Sequence, residues 1–167
     1  MTGSRALVLL VRAKGGKFVK ALIDADRFAE LSERKWQLGR DGYAVRNYWV
    51  SGRQFKLSLH VAVAGSREGL MLDHINGNKL DNRACNLRHV TATQNSVNRG
   101  PRPGSRFKGI TLHKSRGKWQ AVIKSGGRQF YLGLFETDVD AAKAYDQAAR
   151  IYHGEFARLN FPDGASL

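Results

Sequence analysis

The segment Arg99-Gly100-Pro101-Arg102-Pro103-Gly104-Ser105 sets the limit on how this chain can fold. Proline has no amide hydrogen to give and clashes with the preceding turn, and glycine is costly inside a helix. No helix or strand can run through such a stretch, so the elements on either side must form separate cores. A length of 167 residues allows one ordinary domain or two small ones. The sequence therefore predicts a first domain over 1–99, a link at 100–104 and a second domain over 105–162. The two link arginines could also track a phosphate backbone.

Ahead of the link, 6–12 and 17–23 read as strands around the turn Lys14-Gly15-Gly16. A helix is expected over 24–35, with Phe28 and Leu31 sharing a face, followed by strands at 43–49 and 54–59 joined through Ser51-Gly52. Behind the link, 107–113, 118–124 and 129–135 read as three strands. A helix then opens at Thr137, whose hydroxyl can cap the amide of Asp140, and closes at Gly154. Val139, Ala142, Tyr145, Ala149 and Tyr152 recur at helical spacing, and Trp119 and Phe135 are candidates for the core beneath that helix. The fold class is α+β.

Lys and Arg total 28 against 14 acidic residues, a net charge of +14, and each of the three patterned segments is net positive. A surplus spread in this way fits an extended footprint on an anionic polymer, because every neutralised phosphate releases condensed counterions. A ribosomal-type RNA-binding protein would share that charge. Cys85 is the single cysteine, so no intrachain disulfide and no Cys-rich zinc site can form. The apolar run at 6–11 is too short to span a membrane and no cleavage site follows it. A cytoplasmic protein that is not secreted and has no membrane partner is expected.

The run Asp73-His74-Ile75-Asn76-Gly77-Asn78-Lys79-Leu80-Asp81-Asn82-Arg83, with Asn86-Leu87-Arg88 and Gln94-Asn95 after it, is dense in groups that can do chemistry. Hydrolysis of a phosphodiester with one metal ion needs a cation to take charge from the phosphate and a base near neutrality to activate water. A neutral imidazole is the natural base. Carboxylate and amide oxygens are hard donors that favour magnesium, with manganese possible, over zinc. Asp-His followed by Asn-Gly is, by itself, equally readable as a hairpin turn. Arg83 and Arg88 could approach phosphate or lie on a solvated surface, and His60, His89 and Cys85 read as packing or inert groups.

With Leu59-His60 ahead of it and Thr91 and Asn98 in register, this pattern resembles the phage HNH homing endonucleases over roughly 5–99. The resemblance implies a ββα-metal core, in which a two-strand hairpin and a helix grip one ion. By position, Asp73 and Asn95 would ligate the metal and His74 would be the general base. Asn86 would hold the hairpin loop and orient the imidazole. The last signature histidine is Asn95 here, a replacement that the homing branch shares.

The third segment carries Lys108-Gly109-Ile110, Gly117-Lys118-Trp119, Tyr131-Leu132-Gly133-Leu134-Phe135, Ala141-Ala142-Lys143-Ala144-Tyr145-Asp146 and Leu159-Asn160-Phe161-Pro162. It resembles the AP-two/ethylene-response-factor DNA-binding domain. The resemblance implies a three-stranded antiparallel sheet packed on one helix, with the sheet entering the major groove. Lys108, Thr111, His113, Lys124 and Tyr131 fall where that family contacts DNA. Several of those positions are Arg or Trp in the plant domains, and Val122 stands where they have a contacting Glu. Loss of Arg removes bidentate guanine readout, so the plant target does not carry over. Lys114, Arg116, Lys118 and Arg128 are expected to add phosphate contacts.

These observations predict a metal-dependent DNA endonuclease that binds double-stranded DNA. It would nick as a monomer or cut both strands as a homodimer, because one such site handles one strand at a time. A non-catalytic DNA-binding regulator on the same scaffold is the alternative.

Overall fold

The computed structural model describes residues 5–162, so the first four residues of the expected 1–99 domain lie outside it. Packing divides the chain between Ala92 and Thr93. The link expected at 100–104 thus falls within the second unit.

The first unit is built on a five-stranded sheet in the order β2-β1-β3-β4-β5. Its strands are β1 (Ala6–Arg12), β2 (Phe18–Asp24), β3 (Gln37–Leu38), β4 (Ala44–Val50) and β5 (Arg53–Ser58). Alternation in β1 buries Leu9 and Val11 and leaves Val8 and Leu10 outward. Ser51 and Gly52 both take positive φ (48° and 75°), the backbone that a tight turn between twisted strands demands. Leu9, Val11, Ala21, Ile23, Leu31, Trp36, Ala44 and Leu59 form the core.

Two differences from the sequence reading have local causes. The helix expected over 24–35 is a 3-10 turn at Ala25–Arg27 followed by α1 (Phe28–Ser32). It stops early because the Leu31 carbonyl accepts from the Trp36 indole Nε1 at 2.9 Å and from the Arg34 amide, closing the turn. Residues 59–64, of which the strand expectation took only the first, form α2 (Leu59–Ala64). The Arg27 guanidinium donates to the carbonyls of Ala62 and Val63 at the end of α2, and Gly65 leaves it at φ 72°. Phe28 and Leu31 do share the core-facing side of α1.

Beyond α2 come β6 (Met71–His74) and β7 (Leu87–Val90), an antiparallel pair with Asp73 opposite Arg88 and His74 opposite Leu87. The 75–86 loop between them is pinned to the edge strand β2. Leu22 donates to Leu80 O and accepts from the Asn82 amide, both at 2.8 Å, and the Ala84 amide donates to Asp24 Oδ2 at 2.7 Å.

The second unit holds α3 (Ala92–Val97) from Thr93 onward, then β8 (Ile110–His113), β9 (Lys118–Ser125), β10 (Arg128–Phe135) and α4 (Asp138–His153). The sheet order is β10-β9-β8, all antiparallel, with a bulge between Tyr131 and Gly133. Strand β8 starts later than the expected 107, since Lys108 is engaged by Asn160: its amide donates to Asn160 Oδ1 at 2.7 Å. Thr137 caps α4 as expected, accepting from the Asp140 amide at 3.1 Å.

One face of this sheet packs on the alanine-rich side of α4. Ile110 and Ala121 meet Ala141 and Ala142, with Trp119 and Phe135 alongside, and Ile123 meets Tyr145, Ala148 and Ala149. Gly109 permits this closeness: a Cβ there would stand 1.9 Å from the Tyr145 ring, and its φ is +78°. Buried Asp146 explains the Leu159-Asn160-Phe161 motif. Its carboxylate accepts from the amides of Asn160 and Phe161 at 2.8 Å, and Asn160 returns the chain to β8.

Candidate nuclease site and nucleic-acid interface

The β6–β7 hairpin places Asp73 and His74 side by side in sequence and buries both. Asp73 Oδ2 accepts from Arg88 Nε at 3.2 Å and Nη2 at 3.1 Å across the strand pair. Arg88 therefore serves the carboxylate directly. Arg83 serves another, making a two-pronged contact at 2.7 Å with Asp81, whose side chain is almost fully buried. Those hydrogen bonds hold the Asp81 carboxyl below its ordinary range.

Asn86 has the loop-holding role. Its Nδ2 donates to Asp81 O at 2.7 Å and Asn76 Oδ1 at 3.0 Å, and its Oδ1 accepts from the Asn76 amide at 3.0 Å. A different amide, that of Asn82, reaches the imidazole. His74 Nε2 lies 3.3 Å from Asn82 Oδ1, and Asn82 is fully buried with no partner for its Nδ2. Asn82 reaches His74 because β2 holds the 80–84 stretch in place, a long-range constraint with no local sequence signal. The density of polar residues over 73–86 is the one feature of the sequence that points to it.

An aromatic wall completes the histidine's surroundings. The His60 ring on α2 stands edge-on to His74 at 5.3 Å, and Tyr43 lies 4.9 Å from His60 and 5.8 Å from His74. Burial lowers the pKa of His74, outweighing the Asn82 hydrogen bond and the charges of Asp73 and Asp81. Burial, with His74 next in effect, pushes His60 down to about 4. Both imidazoles are thereby neutral near pH 7. His60 Nδ1 is buried with no hydrogen-bond partner, consistent with a packing role. Asn95 lies on α3, on the second unit's side of the division. Cys85 is exposed.

Strand register gathers the expected DNA-contacting side chains. Thr111 faces Gln120, His113 faces Lys118, Lys124 faces Gln129 and Tyr131 faces Val122. These residues share the sheet face turned away from α4, and Thr111, Lys124 and Tyr131 are exposed there. Lys114 and Arg116 lie exposed between β8 and β9, and Arg128 opens β10. Three of the expected contacts have partners within the protein: His113 Nδ1 lies 3.2 Å from Ser115 Oγ, and two lysines are engaged as well. Lys118 Nζ pairs with Glu136 at 2.6 Å, and Lys108 Nζ donates to the carbonyls of Val97 and Arg99. Burial, with Arg158 nearby, brings the Lys108 ammonium down to about 8.

Comparison with known proteins agrees with both halves. The HNH endonuclease family profile matches residues 65–97 and the AP2 domain profile matches residues 105–155. An HNH endonuclease of Acanthamoeba polyphaga mimivirus is 31% identical over 147 residues, 87% of this chain and 76% of that protein. APETALA2-like protein 2 of Oryza sativa subsp. indica is 48% identical over 62 residues, 36% of this chain and 14% of that protein. An AP2-like ethylene-responsive transcription factor of Arabidopsis thaliana is 43% identical over 67 residues, 40% of this chain and 14% of its own length. No solved structure matches. The chain belongs to the HNH endonuclease family and carries an AP2 DNA-binding domain on the C-terminal side of its nuclease motif.

Proposed function

We propose that the protein is a homing-type endonuclease that hydrolyses phosphodiester bonds of double-stranded DNA with one divalent ion, magnesium or manganese. On this reading 1–99 cuts, 105–162 holds DNA, and the protein acts in the cytoplasm of a cell carrying phage or mobile-intron DNA. The observation that carries it is the buried pair Asp73 and His74, one fixed by Arg88 and the other beside Asn82.

The donor set fits a hard ion. Asp73 offers a carboxylate held in place by a guanidinium, and the Asn95 amide oxygen is the second ligand that family position assigns. A site with few protein ligands suits magnesium, which keeps several waters and takes substrate phosphate oxygens. The bound ion would supply charge neutralisation at the scissile phosphate and the leaving 3′ oxygen.

The chain's own residues do the rest. Beside Asn82 Oδ1, His74 is the base whose ring-nitrogen lone pair takes the proton of the attacking water. The lowered pKa of His74 keeps that lone pair available at neutrality. Asn86 fixes the loop that carries Asn82, and the rings of His60 and Tyr43 exclude water from one side of the imidazole. The outer face of the AP2 sheet supplies affinity through Thr111, His113, Lys124, Tyr131 and the flanking Lys114, Arg116 and Arg128, with Lys108 and Lys118 beside it.

Incubation with supercoiled plasmid in magnesium, manganese or EDTA tests this reading. The expected result is nicked or linear DNA with 5′-phosphate ends in either metal and intact plasmid in EDTA. Tight binding with no cutting in any metal would replace it with a non-catalytic regulator.

A further inference from the structure

Within the second unit, a concavity of ≈ 750 Å³ runs from the sheet face turned away from α4 to Tyr145 and His153 of α4 itself. The sheet supplies Thr111 and Lys124 to its lining, and the link segment ahead of the sheet supplies Arg99 and Arg102. Lys108, His153 and Tyr145 complete its charged and titratable lining, which holds no carboxylate. Among the described residues, Arg99, Arg102, Lys108 and Lys124 make no ion pair with a carboxylate. Cations grouped around a hollow without counter-charge repel one another, and a polyanion lying among them relieves that repulsion.

The link is held where it is. Lys108 Nζ donates to the carbonyls of Val97 and Arg99, and the Ser105 amide donates to Arg102 O at 2.9 Å. Lys108 is thereby occupied as a tether, while the guanidinium-bearing residues at 99 and 102 are exposed. A wall of fixed backbone carrying exposed arginines loses little entropy when it meets a phosphate.

We propose that the link over 99–105 is a second wall of the DNA groove: Arg99 and Arg102, facing Lys124 of β9, grip the phosphodiester backbone, and Lys108 is the positioning residue that holds the wall upright. The proposal rests on DNA binding by the AP2 domain and extends the footprint to residues outside that domain. It also gives the proline-rich link, which lies within the second unit, a task of its own.

The test measures affinity of the full chain for duplex DNA by fluorescence anisotropy between 50 and 200 mM salt. R99Q/R102Q is expected to lower the slope of log K against log salt by about 1.8, which is about a 12-fold smaller loss of affinity across that range. R116Q/R128Q, one in the β8–β9 turn and one at the start of β10, both outside the concavity, serves as reference. If it lowers the slope and R99Q/R102Q does not, the link wall falls and DNA binding by the sheet stands. If neither variant changes the slope, both fall. A slope change on duplex RNA with none on DNA also overturns the proposal. For the tether, Lys108→Met is expected to speed amide hydrogen exchange across 97–105, and unchanged exchange would refute it.

Discussion

Replacing Asp73 does two things at once, and the structure allows them to be separated. Asp73→Ala removes the proposed metal ligand and also strips Arg88 of its carboxylate. The pair is close, at 3.1 Å, and shielded, with side chains 9% and 14% exposed for Asp73 and Arg88. Breaking a fully buried pair from one side costs about 3–5 kcal/mol, because an uncompensated charge stays behind. The residual exposure of Arg88 lets water reach its guanidinium, which brings the expected cost to about 2–3 kcal/mol. For a chain of this size that corresponds to a fall in Tm of about 5–10 °C. Asp73→Ala/Arg88→Met removes the guanidinium that loses the Asp73 carboxylate and keeps an aliphatic stem, and should recover at least half of the loss. Neither variant should cut DNA. Thermal unfolding and plasmid cleavage measured on the same preparations decide the matter. If Asp73→Ala melts like the wild type, or the double variant is no more stable than the single, the ion-pair reasoning is wrong. If the double variant cuts, Asp73 is not a ligand.

Three further outcomes are expected. Asn82→Ala should slow cleavage about 10- to 100-fold under saturating conditions with DNA affinity unchanged, since a small misplacement of a catalytic group costs that much; wild-type cleavage would remove Asn82 from the site. Gly109→Ala should destabilise the second unit by about 3 kcal/mol or more, through strain at positive φ and collision with the Tyr145 ring; an unchanged urea midpoint would refute the close approach. His60, lowered from 6.5 to about 4, is neutral when folded and protonated when unfolded between those values, so its contribution to stability is complete above pH 6.5 and is lost as pH falls toward 4. Discounted for partial exposure, the loss between pH 7.5 and pH 5 is about 1–2 kcal/mol. It should shrink in His60→Phe, and an identical pH dependence in urea unfolding would contradict the burial of His60.

Legibility in the sequence followed the range of the interactions concerned. Strands β1, β4, β9 and β10 were readable because alternation and Gly-bearing turns are local signals, and the Thr137 cap and Gly154 stop framed α4 for the same reason. The 24–35 helix was read too long because its end is set by the Trp36 indole on Leu31 O. Helix α2 is hard to read because its six residues carry one polar side chain, His60, too few to show a helical period, and its end is capped by Arg27 from more than thirty residues away. Among site residues, the loop-holding part of Asn86 was legible from its register with the motif. The contact of Asn82 with His74 was not, because it depends on β2 pinning the intervening loop. Lys108 shows the same limit: its position suggested a DNA contact, while folding spends its ammonium on the carbonyls of Val97 and Arg99.

The most direct measurement is single-turnover cleavage of an end-labelled duplex in magnesium by the wild type and by His74→Ala, with DNA affinity and melting temperature recorded for both. Loss of the base should slow the chemical step by about 10²- to 10⁴-fold and leave affinity within a factor of about two, because phosphate contacts elsewhere carry the binding. Cleavage by folded, DNA-bound His74→Ala at a rate near that of the wild type would mean that the imidazole beside Asn82 is not what activates water.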